Sequence, residues 1–207
     1  MYKKRVEAAI DDIKNGKMII VLDNEDRENE ADLVYAAEFS SPEKVNFLIT
    51  NAKGLVCVSI TKDIANKLNL PLMVENNDSN HNTAFTVSID AKEAKTGISA
   101  YERDLTIKLM CSKDSNPKNF VRPGHIFPLI ANENGLRQRA GHTEASVEIC
   151  KLANLKPIAV ICEIIKEDGT MATNNDEFLI KMSNKYNLKI LYISDLIKYT
   201  TCYKLEK

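Results

Sequence analysis

The sequence predicts an α/β or α+β fold, a single domain with a mixed sheet flanked by helices. Short apolar runs rich in branched residues alternate along the chain with segments whose apolar residues recur at helical spacing. No linker, internal repeat or low-complexity stretch divides the 207 residues, and this length suits one large domain. We therefore expect one domain over residues 1–207, with a substantial buried core.

Seven short runs predict strands. The run at 85–89 alternates apolar and polar residues, as a half-buried strand does. The runs at 18–22 and 158–165 are continuously apolar or nearly so, which is typical of buried strands. The predicted strands are 18–22, 33–37, 55–60, 85–89, 126–131, 158–165 and 188–193.

Helical spacing and capping residues predict seven helices between these strands. Ser41 before a proline begins the second helix, and Gly54 is expected to end it. Ser99 and Glu102 form the sequence pattern of a capping box, and Ser194 is expected to cap the last helix. The predicted helices are 6–16, 41–54, 61–68, 99–110, 142–153, 176–186 and the segment from 194 onward.

Composition excludes several classes of protein. Lys and Arg number 28 against 29 Asp and Glu, so the formal charge of −1 gives no electrostatic footprint for nucleic acid or an acidic membrane. The longest apolar runs are far shorter than the roughly 20 residues that span a bilayer. Five widely spaced cysteines without a Cys-x-x-Cys pair favour reduced thiols, and no secretory leader is seen, so we expect a cytoplasmic protein.

Six carboxylates crowd into the segment 23–32, which holds a single base, Arg27. Glu28, Glu30 and Asp32 alternate, so an extended backbone would point all three to one side. Carboxylates placed in this way repel each other unless a proton or a cation lies among them, and Mg²⁺ takes such oxygen ligands. The segment therefore predicts a metal site or a general base, with a solvated acidic loop as the alternative.

Two Gly-His pairs follow in motifs that also contain arginine, Arg122-Pro-Gly-His125 and Arg139-Ala-Gly-His142-Thr143. His142 and Thr143 open a predicted helix, whose free N–H groups and nearby Arg139 would suit a phosphate. His142 would then lie beside the phosphate ester as a metal ligand or proton carrier. The alternative is a capping threonine with a structural histidine beside it.

Glu163 interrupts the apolar run 158–165. A carboxylate in such a run is costly to bury unless it is paired or functional, so Glu163 belongs to a site, to a salt bridge or to an outward face. Cys57 is expected to be a small buried hydrophobe. His81 lies in the polar segment 75–83 and is expected to be a solvated residue of a surface loop.

Six short motifs occur in order along the chain, and together they are specific. From about residue 5 to 200 the chain resembles the 3,4-dihydroxy-2-butanone 4-phosphate synthase family of riboflavin biosynthesis. The motifs are the acidic segment 23–32, Thr83-Ala-Phe-Thr-Val-Ser88, Thr96-Gly-Ile-Ser-Ala100 with Arg103, Arg122-Pro-Gly-His-Ile-Phe-Pro-Leu129, Gly141-His-Thr-Glu-Ala145 and Val160-Ile-Cys-Glu-Ile164.

The resemblance implies a lyase that converts D-ribulose 5-phosphate to 3,4-dihydroxy-2-butanone 4-phosphate and formate, by enolisation, dehydration, rearrangement and loss of C4. It implies Mg²⁺ or Mn²⁺, no organic cofactor, and a homodimer with two active sites near the subunit interface. No nucleic-acid or membrane partner is expected. Because no later segment carries the cysteines of a fused GTP cyclohydrolase II, a monofunctional protein is expected.

The resemblance also implies roles for individual residues, and leaves open which carboxylate is the first base. Glu28 and His142 match the metal ligands. The catalytic candidates are His125, Glu163, Glu30, Asp32, Asp23 and Cys57. The substrate-binding candidates are Arg27, Glu28, Asp32, Arg139, Ala140, Gly141, His142, Thr143 and Glu163.

Two other functions would use the same residues. A metal-dependent hydrolase or aldolase acting on a phosphorylated sugar would use the same metal and phosphate sites without releasing formate. A degenerate homologue would bind a ligand without catalysis, but the matched polar positions keep the expected residue types.

Overall fold

The computed structural model describes residues 2–203, and the strands within this range form one seven-stranded sheet. Numbered along the chain, the strands are β1 Ile19–Leu22, β2 Ala31–Ala36, β3 Cys57–Ile60, β4 Ile89–Ala91, β5 Phe120–Ile130, β6 Ala159–Glu163 and β7 Lys189–Tyr192. Across the sheet they lie in the order β4-β5-β3-β6-β2-β1-β7. The pairs β1–β7 and β3–β5 are parallel and the others are antiparallel, so the predicted mixed sheet is confirmed.

Helices cover both faces of the sheet. They are α1 Tyr2–Lys14, α2 Pro42–Phe47, α3 Lys62–Lys67, α4 Ala100–Cys111, α5 His142–Leu152, α6 Glu177–Tyr186 and α7 Ile193–Tyr203. Helices α1, α5 and α7 contact each other and the strands on one side, while α2 and α4 pack together on the other. Within residues 2–203, no helix is long and apolar enough to cross a membrane.

Strand β2 shows why the core has two layers. Leu33 and Tyr35 are fully buried in the cluster on the α2 and α4 side, whereas Val34 and Ala36 are fully buried in the cluster under α1 and α5. Because side chains alternate along a strand, a strand buried on both faces lacks a polar stripe, except where function requires one. Asp32 is that exception, and it lies at the start of the strand.

Most predicted boundaries are close to the observed ones, but the ends of five elements differ. Strand β5 begins at Phe120 rather than at 126, and helix α1 begins at Tyr2 rather than at residue 6. The alternating run 85–89 forms isolated bridges at Phe85 and Thr86, and regular pairing begins only at Ile89. The last helix begins directly at Ile193, at the end of β7, so the predicted Ser194 cap is wrong. The second helix continues as a wider helical turn over Leu48–Ala52.

The ends of three strands meet at one edge of the sheet. Leu22 at the end of β1 pairs with Ala31 at the start of β2, and Asp32 pairs with Glu163 at the end of β6. The first turn of α5 reaches the same edge, because His142 contacts the carbonyl group of Val21. The acidic loop, Glu163 and the Gly-His helix are therefore neighbours in space.

Candidate active site

The acidic loop between β1 and β2 is closed by the buried carboxylate of Asp23. Its Oδ1 accepts the backbone N–H of Glu30 at 2.9 Å, and its Oδ2 accepts the backbone N–H of Glu28 at 3.1 Å. Oδ2 also accepts Arg27 Nη1 at 2.8 Å, and Asn29 turns the chain with a φ of 54°. Asp23 therefore fixes the shape of a loop that presents Glu28 and Glu30 to a cavity.

Glu28, Asp23 and His142 form a cluster that fits a metal ion. One ligand atom from each lies within 4.8 Å of the other two. Burial opposes the charge of Glu28, but His142 and Arg27 outweigh it and hold the pKa of Glu28 at about 2. Two carboxylates with one imidazole nitrogen are a donor set suited to a divalent cation such as Mg²⁺ or Mn²⁺.

The imidazole of His142 has a defined orientation. Its Nε2 lies 3.2 Å from the carbonyl oxygen of Val21, and a carbonyl only accepts, so Nε2 carries a proton. Nδ1 then faces Glu28 Oε2 at 3.7 Å and is the nitrogen available to a cation. Burial alone would lower the pKa of His142, but Asp32 and the other carboxylates raise it to about 9.

Asp32 faces Glu163 across the β2–β6 pair. The side chain of Asp32 is buried, and its Oδ1 has no hydrogen-bond partner among residues 2–203. Burial raises the pKa of Asp32 to about 7, against the opposing charge of His142. Burial likewise raises the pKa of Glu30, and the charges of Glu28 and Glu163 add to this effect. A carboxyl group that titrates near neutrality and has a free oxygen is suited to proton transfer.

Glu163 is held by the chain segment that precedes β3. Its Oε2 accepts the backbone N–H of Leu55 at 2.8 Å. A Cβ at Gly54 would lie 2.4 Å from the carbonyl oxygen of Glu163 and 2.6 Å from its Oε2, so only glycine leaves room for this approach. Gly54 does not end the second helix as predicted; Lys53 does so, with a φ of 68°.

Arg139 lines the same cavity and has a fixed orientation. Its Nη1 donates to Glu144 Oε2 at 2.7 Å, and its Nη2 donates to Thr83 Oγ1 at 2.8 Å. Its Nε donates to the backbone carbonyl of His81 at 3.2 Å. Each of the two terminal nitrogens keeps one further N–H, so the guanidinium can still bind an anion.

The start of α5 adds a second feature that suits an anion. Gly141 is the cap residue of this helix, and no side chain in the described part of the chain caps the first turn. The free N–H groups of His142 and Thr143 therefore point out of the helix end, where a negative charge is stabilised. The side chain of Thr143 lines the same cavity.

These residues line a cavity of about 140 Å³ that contains both carboxylate and arginine side chains. Such a cavity can bind a divalent cation, an anionic group and a molecule that exchanges protons with a carboxylate. Eight of the predicted site residues line it: Arg27, Glu28, Glu30, Asp32, Arg139, His142, Thr143 and Glu163.

Comparison with known proteins identifies the family. A family model described as 3,4-dihydroxy-2-butanone 4-phosphate synthase matches residues 7–199. The chain belongs to this family. The synthase of Helicobacter hepaticus is 64% identical over 199 residues, which are 96% of this chain and 56% of that protein. The chain thus spans about half the length of the curated relatives it matches.

Solved structures of 3,4-dihydroxy-2-butanone 4-phosphate synthases have the same fold. A two-domain synthase from A. baumannii is 49% identical with a TM-score of 0.90, and the match covers 94% of this chain and 57% of that one. A synthase in complex with two magnesium ions is 38% identical with a TM-score of 0.87, and the match covers 94% of this chain and 95% of that one.

Other predicted site residues lie outside the cavity lining. Asp23 lies behind the loop that it closes, and Ala140 and Gly141 join Arg139 to α5. Cys57 is buried on β3, where burial raises the pKa of its thiol well above the ordinary value. His125 lies on β5 and pairs with Asp90, and it does not line this cavity in the described chain.

Sequence reasoning missed six residues that shape the site of this synthase-family chain. Glu144 and Thr83 hold Arg139, and Phe85, Leu129 and Ile161 line the cavity. His81, expected to be an uninvolved loop residue, lies with Nδ1 3.9 Å from Glu28 Oε1. The sequence offered one signal, a glutamate directly after the Gly-His-Thr motif and five residues from Arg139.

Proposed function

We propose that the chain converts D-ribulose 5-phosphate to 3,4-dihydroxy-2-butanone 4-phosphate and formate. The observation that carries this proposal is the cavity that joins a cation cluster, a row of carboxylates and an anion site. Family membership supports it, because the relatives that share the matched region bear this activity as their name. The proposal covers the activity of the matched region.

Glu28 and His142 would hold Mg²⁺ or Mn²⁺, with Asp23 near enough to join them. The bound ion would polarise the carbonyl and hydroxyl oxygens of the substrate. Nδ1 of His142 would be the ligand atom, because the carbonyl of Val21 engages Nε2. Arg27 donates to Glu28 and to Asp23, so it orients both carboxylates, and its charge helps to keep the pKa of Glu28 low.

Removal of the C3 proton next to the ketone requires a base at the acidic wall. Asp32 is best placed for this step, because its Oδ1 is free of hydrogen bonds among the described residues and its pKa of about 7 lets it accept and return a proton at neutral pH. Glu163 and Glu30 lie in the same wall and can relay protons during dehydration. Arg139, Thr143 and the start of α5 would bind the phosphate group.

The decisive assay measures formate from purified protein, ribulose 5-phosphate and Mg²⁺, with and without EDTA. We expect metal-dependent formate, which a hydrolase or aldolase would not release. Glu28→Gln and His142→Ala should each abolish this turnover without unfolding the protein. The matched control is Asp26→Asn, an exposed carboxylate of the same loop, which should retain full activity. Absence of formate with any divalent metal would refute the proposal.

We also propose that the active protein is a homodimer and that His125 acts at the site of the second copy. Within one chain His125 lies away from the cavity, yet its side chain is 42% exposed. Exposed apolar residues lie beside both places: Leu55 next to Glu163, and Ile98 and Val121 next to the His125–Asp90 pair. A second copy packed on these residues would cover apolar surface and bring the two places together.

Subunit mixing tests this arrangement. His125→Ala and His142→Ala should each be inactive alone. In mixed dimers, one of the two sites keeps His142 from one chain and His125 from the other. Equal mixing should therefore restore about a quarter of wild-type activity. If each chain uses its own His125, mixing restores nothing, and sedimentation as a monomer would equally contradict the proposal.

The thiols support a reducing compartment, and we propose the cytoplasm. Cys57, Cys111, Cys150 and Cys162 are buried and unpaired within the described chain, and Cys202 is also free. Proteins of oxidising compartments tend to pair such residues. Activity that persists unchanged under reducing conditions and a mass without disulfides would agree with this location.

A further inference from the structure

One residue far along the chain, Asn174, holds both ends of the acidic loop between β1 and β2. Its side-chain Nδ2 donates to the backbone carbonyl of Asp23 at 2.7 Å, and its backbone N–H donates to Oδ1 of Asn29 at 3.1 Å. Asp23 begins the loop, and Asn29 lies near its end with a φ of 54°. Two hydrogen bonds therefore tie the start and the end of the loop to a single residue, which lies 151 and 145 positions away in the sequence.

The segment that carries Asn174 is itself fixed on both sides. Before it, the backbone carbonyl of Ala172 accepts the N–H of Ala31, at the start of β2, at 3.1 Å. After it, Asp176 is the cap residue of α6, and its carboxylate accepts the backbone N–H of Phe178 at 2.9 Å. Because the sheet and a helix hold the two sides, the donors of Asn174 are in place for the loop without further ordering of the chain.

The loop needs support because its own charges oppose closure. Six of the ten residues 23–32 are carboxylates, and like charges repel each other when they are brought together. The carboxylate of Asp23 closes the loop by accepting the backbone N–H groups of Glu28 and Glu30, so the main chain at Asp23 has to stay in place. An amide carries no charge. Asn174 therefore supplies a donor to the loop without competing for the carboxylates as a lysine would.

We propose that Asn174 is a positioning residue for the cation cluster: it clasps the acidic loop so that Asp23 and Glu28 lie beside His142 before an ion arrives. This inference rests on the proposed function, in which these side chains hold Mg²⁺ or Mn²⁺. Asn174 does not line the cavity in the described chain, so it acts through the loop. It also lies outside the six sequence motifs, the last of which ends at Ile164.

Asn174→Ala tests the clasp because it removes the donor to Asp23 and keeps the backbone N–H. The first measurement is hydrogen exchange of the Glu28 and Glu30 amides in metal-free protein, since both amides are bonded to Asp23 while the loop is closed. Loss of one neutral hydrogen bond should speed their exchange about 3–10-fold. Asn24→Ala makes the same chemical change at an exposed asparagine of the loop, and it should alter the exchange by less than about twofold.

The second measurement is calorimetric titration of the same variants with Mn²⁺. We expect the affinity of Asn174→Ala for Mn²⁺ to fall about 2–10-fold, because part of the binding free energy must then close the loop. Its affinity for inorganic phosphate should not fall, because Arg139 and the start of α5 are held by contacts outside the loop. General damage to the fold would weaken the binding of both ions, so the pair of titrations separates positioning from a merely structural role.

Asn29→Gly is a second variant, which removes the other acceptor but keeps the positive φ, so it should shift both measurements in the same direction. It decides the matter if Asn174→Ala fails to fold. Unchanged amide exchange would overturn the clasp. Faster exchange with unchanged Mn²⁺ affinity, or an equal loss of phosphate affinity, would overturn its role for the cation. If the wild-type protein binds no Mn²⁺ and releases no formate, the proposed function fails and that role with it, whereas amide exchange still reports whether Asn174 holds the loop.

Discussion

The high pKa of His142 predicts that metal binding releases protons. At pH 7 a group with a pKa of about 9 is roughly 99% protonated, and a metal ion can bind Nδ1 only after the proton leaves. We therefore expect close to one proton released per ion at pH 7. Apparent affinity should rise about tenfold per pH unit between pH 6 and 8, equivalent to roughly 1.4 kcal/mol per unit, and level off above pH 9. Any proton that leaves Asp32 at the same time adds to this number.

Calorimetric titration with Mn²⁺ or Mg²⁺ in buffers of different ionisation enthalpy measures the proton count directly. The variant His142→Asn lacks the titrating ring, so it should bind more weakly and lose most of the release. Asp26→Asn, in the same loop but exposed, should behave as the wild type. Affinity that does not change with pH, or equal release from His142→Asn, would refute the assignment of His142 as the protonated ligand.

Two further substitutions test the shape of the site. Glu144→Gln removes the charge that fixes Arg139, so we expect the KM for ribulose 5-phosphate to rise roughly 10–100-fold with a smaller change in kcat. The control is Glu148→Gln on the same helix, which should leave the KM unchanged. Equal KM values in the two variants would contradict the role of Glu144. Gly54→Ala puts a Cβ against the backbone of Glu163, so the free energy of unfolding measured in urea should fall by about 1–3 kcal/mol, and activity should fall with it. An unchanged urea midpoint would contradict the requirement for glycine at this position.

The sequence was sufficient for elements whose signal is local. Thr61 and Ser99 cap their helices as their types predict, and the apolar run 18–22 is a buried strand. The acidic segment could be placed as a loop because strong apolar runs flank it. These features depend on neighbours a few residues away, which a pattern can capture.

Features that depend on distant pairing could not be read from the sequence. The contact between Asp32 and Glu163 follows from the β2–β6 register, which joins residues 131 positions apart. Gly54 looked like a helix terminator because that is the commonest local reason for glycine, but its cause is the backbone of another strand. The pairing of Asp90 with His125 likewise depends on a register shift between β4 and β5.

His81 shows a different limit. Its surroundings in sequence are polar and rich in turn residues, and its side chain is indeed partly exposed. Its place beside Glu28 comes from the contacts of this segment with Arg139, which donates to the His81 carbonyl and to the Thr83 hydroxyl. Nothing in the order of residues indicates which way a polar loop turns.

The contacts that orient the imidazole rings of His142 and His125 differ in how easily mutation can change them. The ring of His142 is oriented by a main-chain carbonyl at Val21, and every residue at that position supplies the same oxygen. Single substitutions therefore cannot easily reverse its orientation, and its chemistry is inherited with the sheet. The ring of His125 contacts a side-chain carboxylate, Asp90 Oδ2, so a substitution at that position can remove the contact. Under selection for a different proton-transfer chemistry, substitution of the orienting residue could therefore change the contact of His125 but not that of His142.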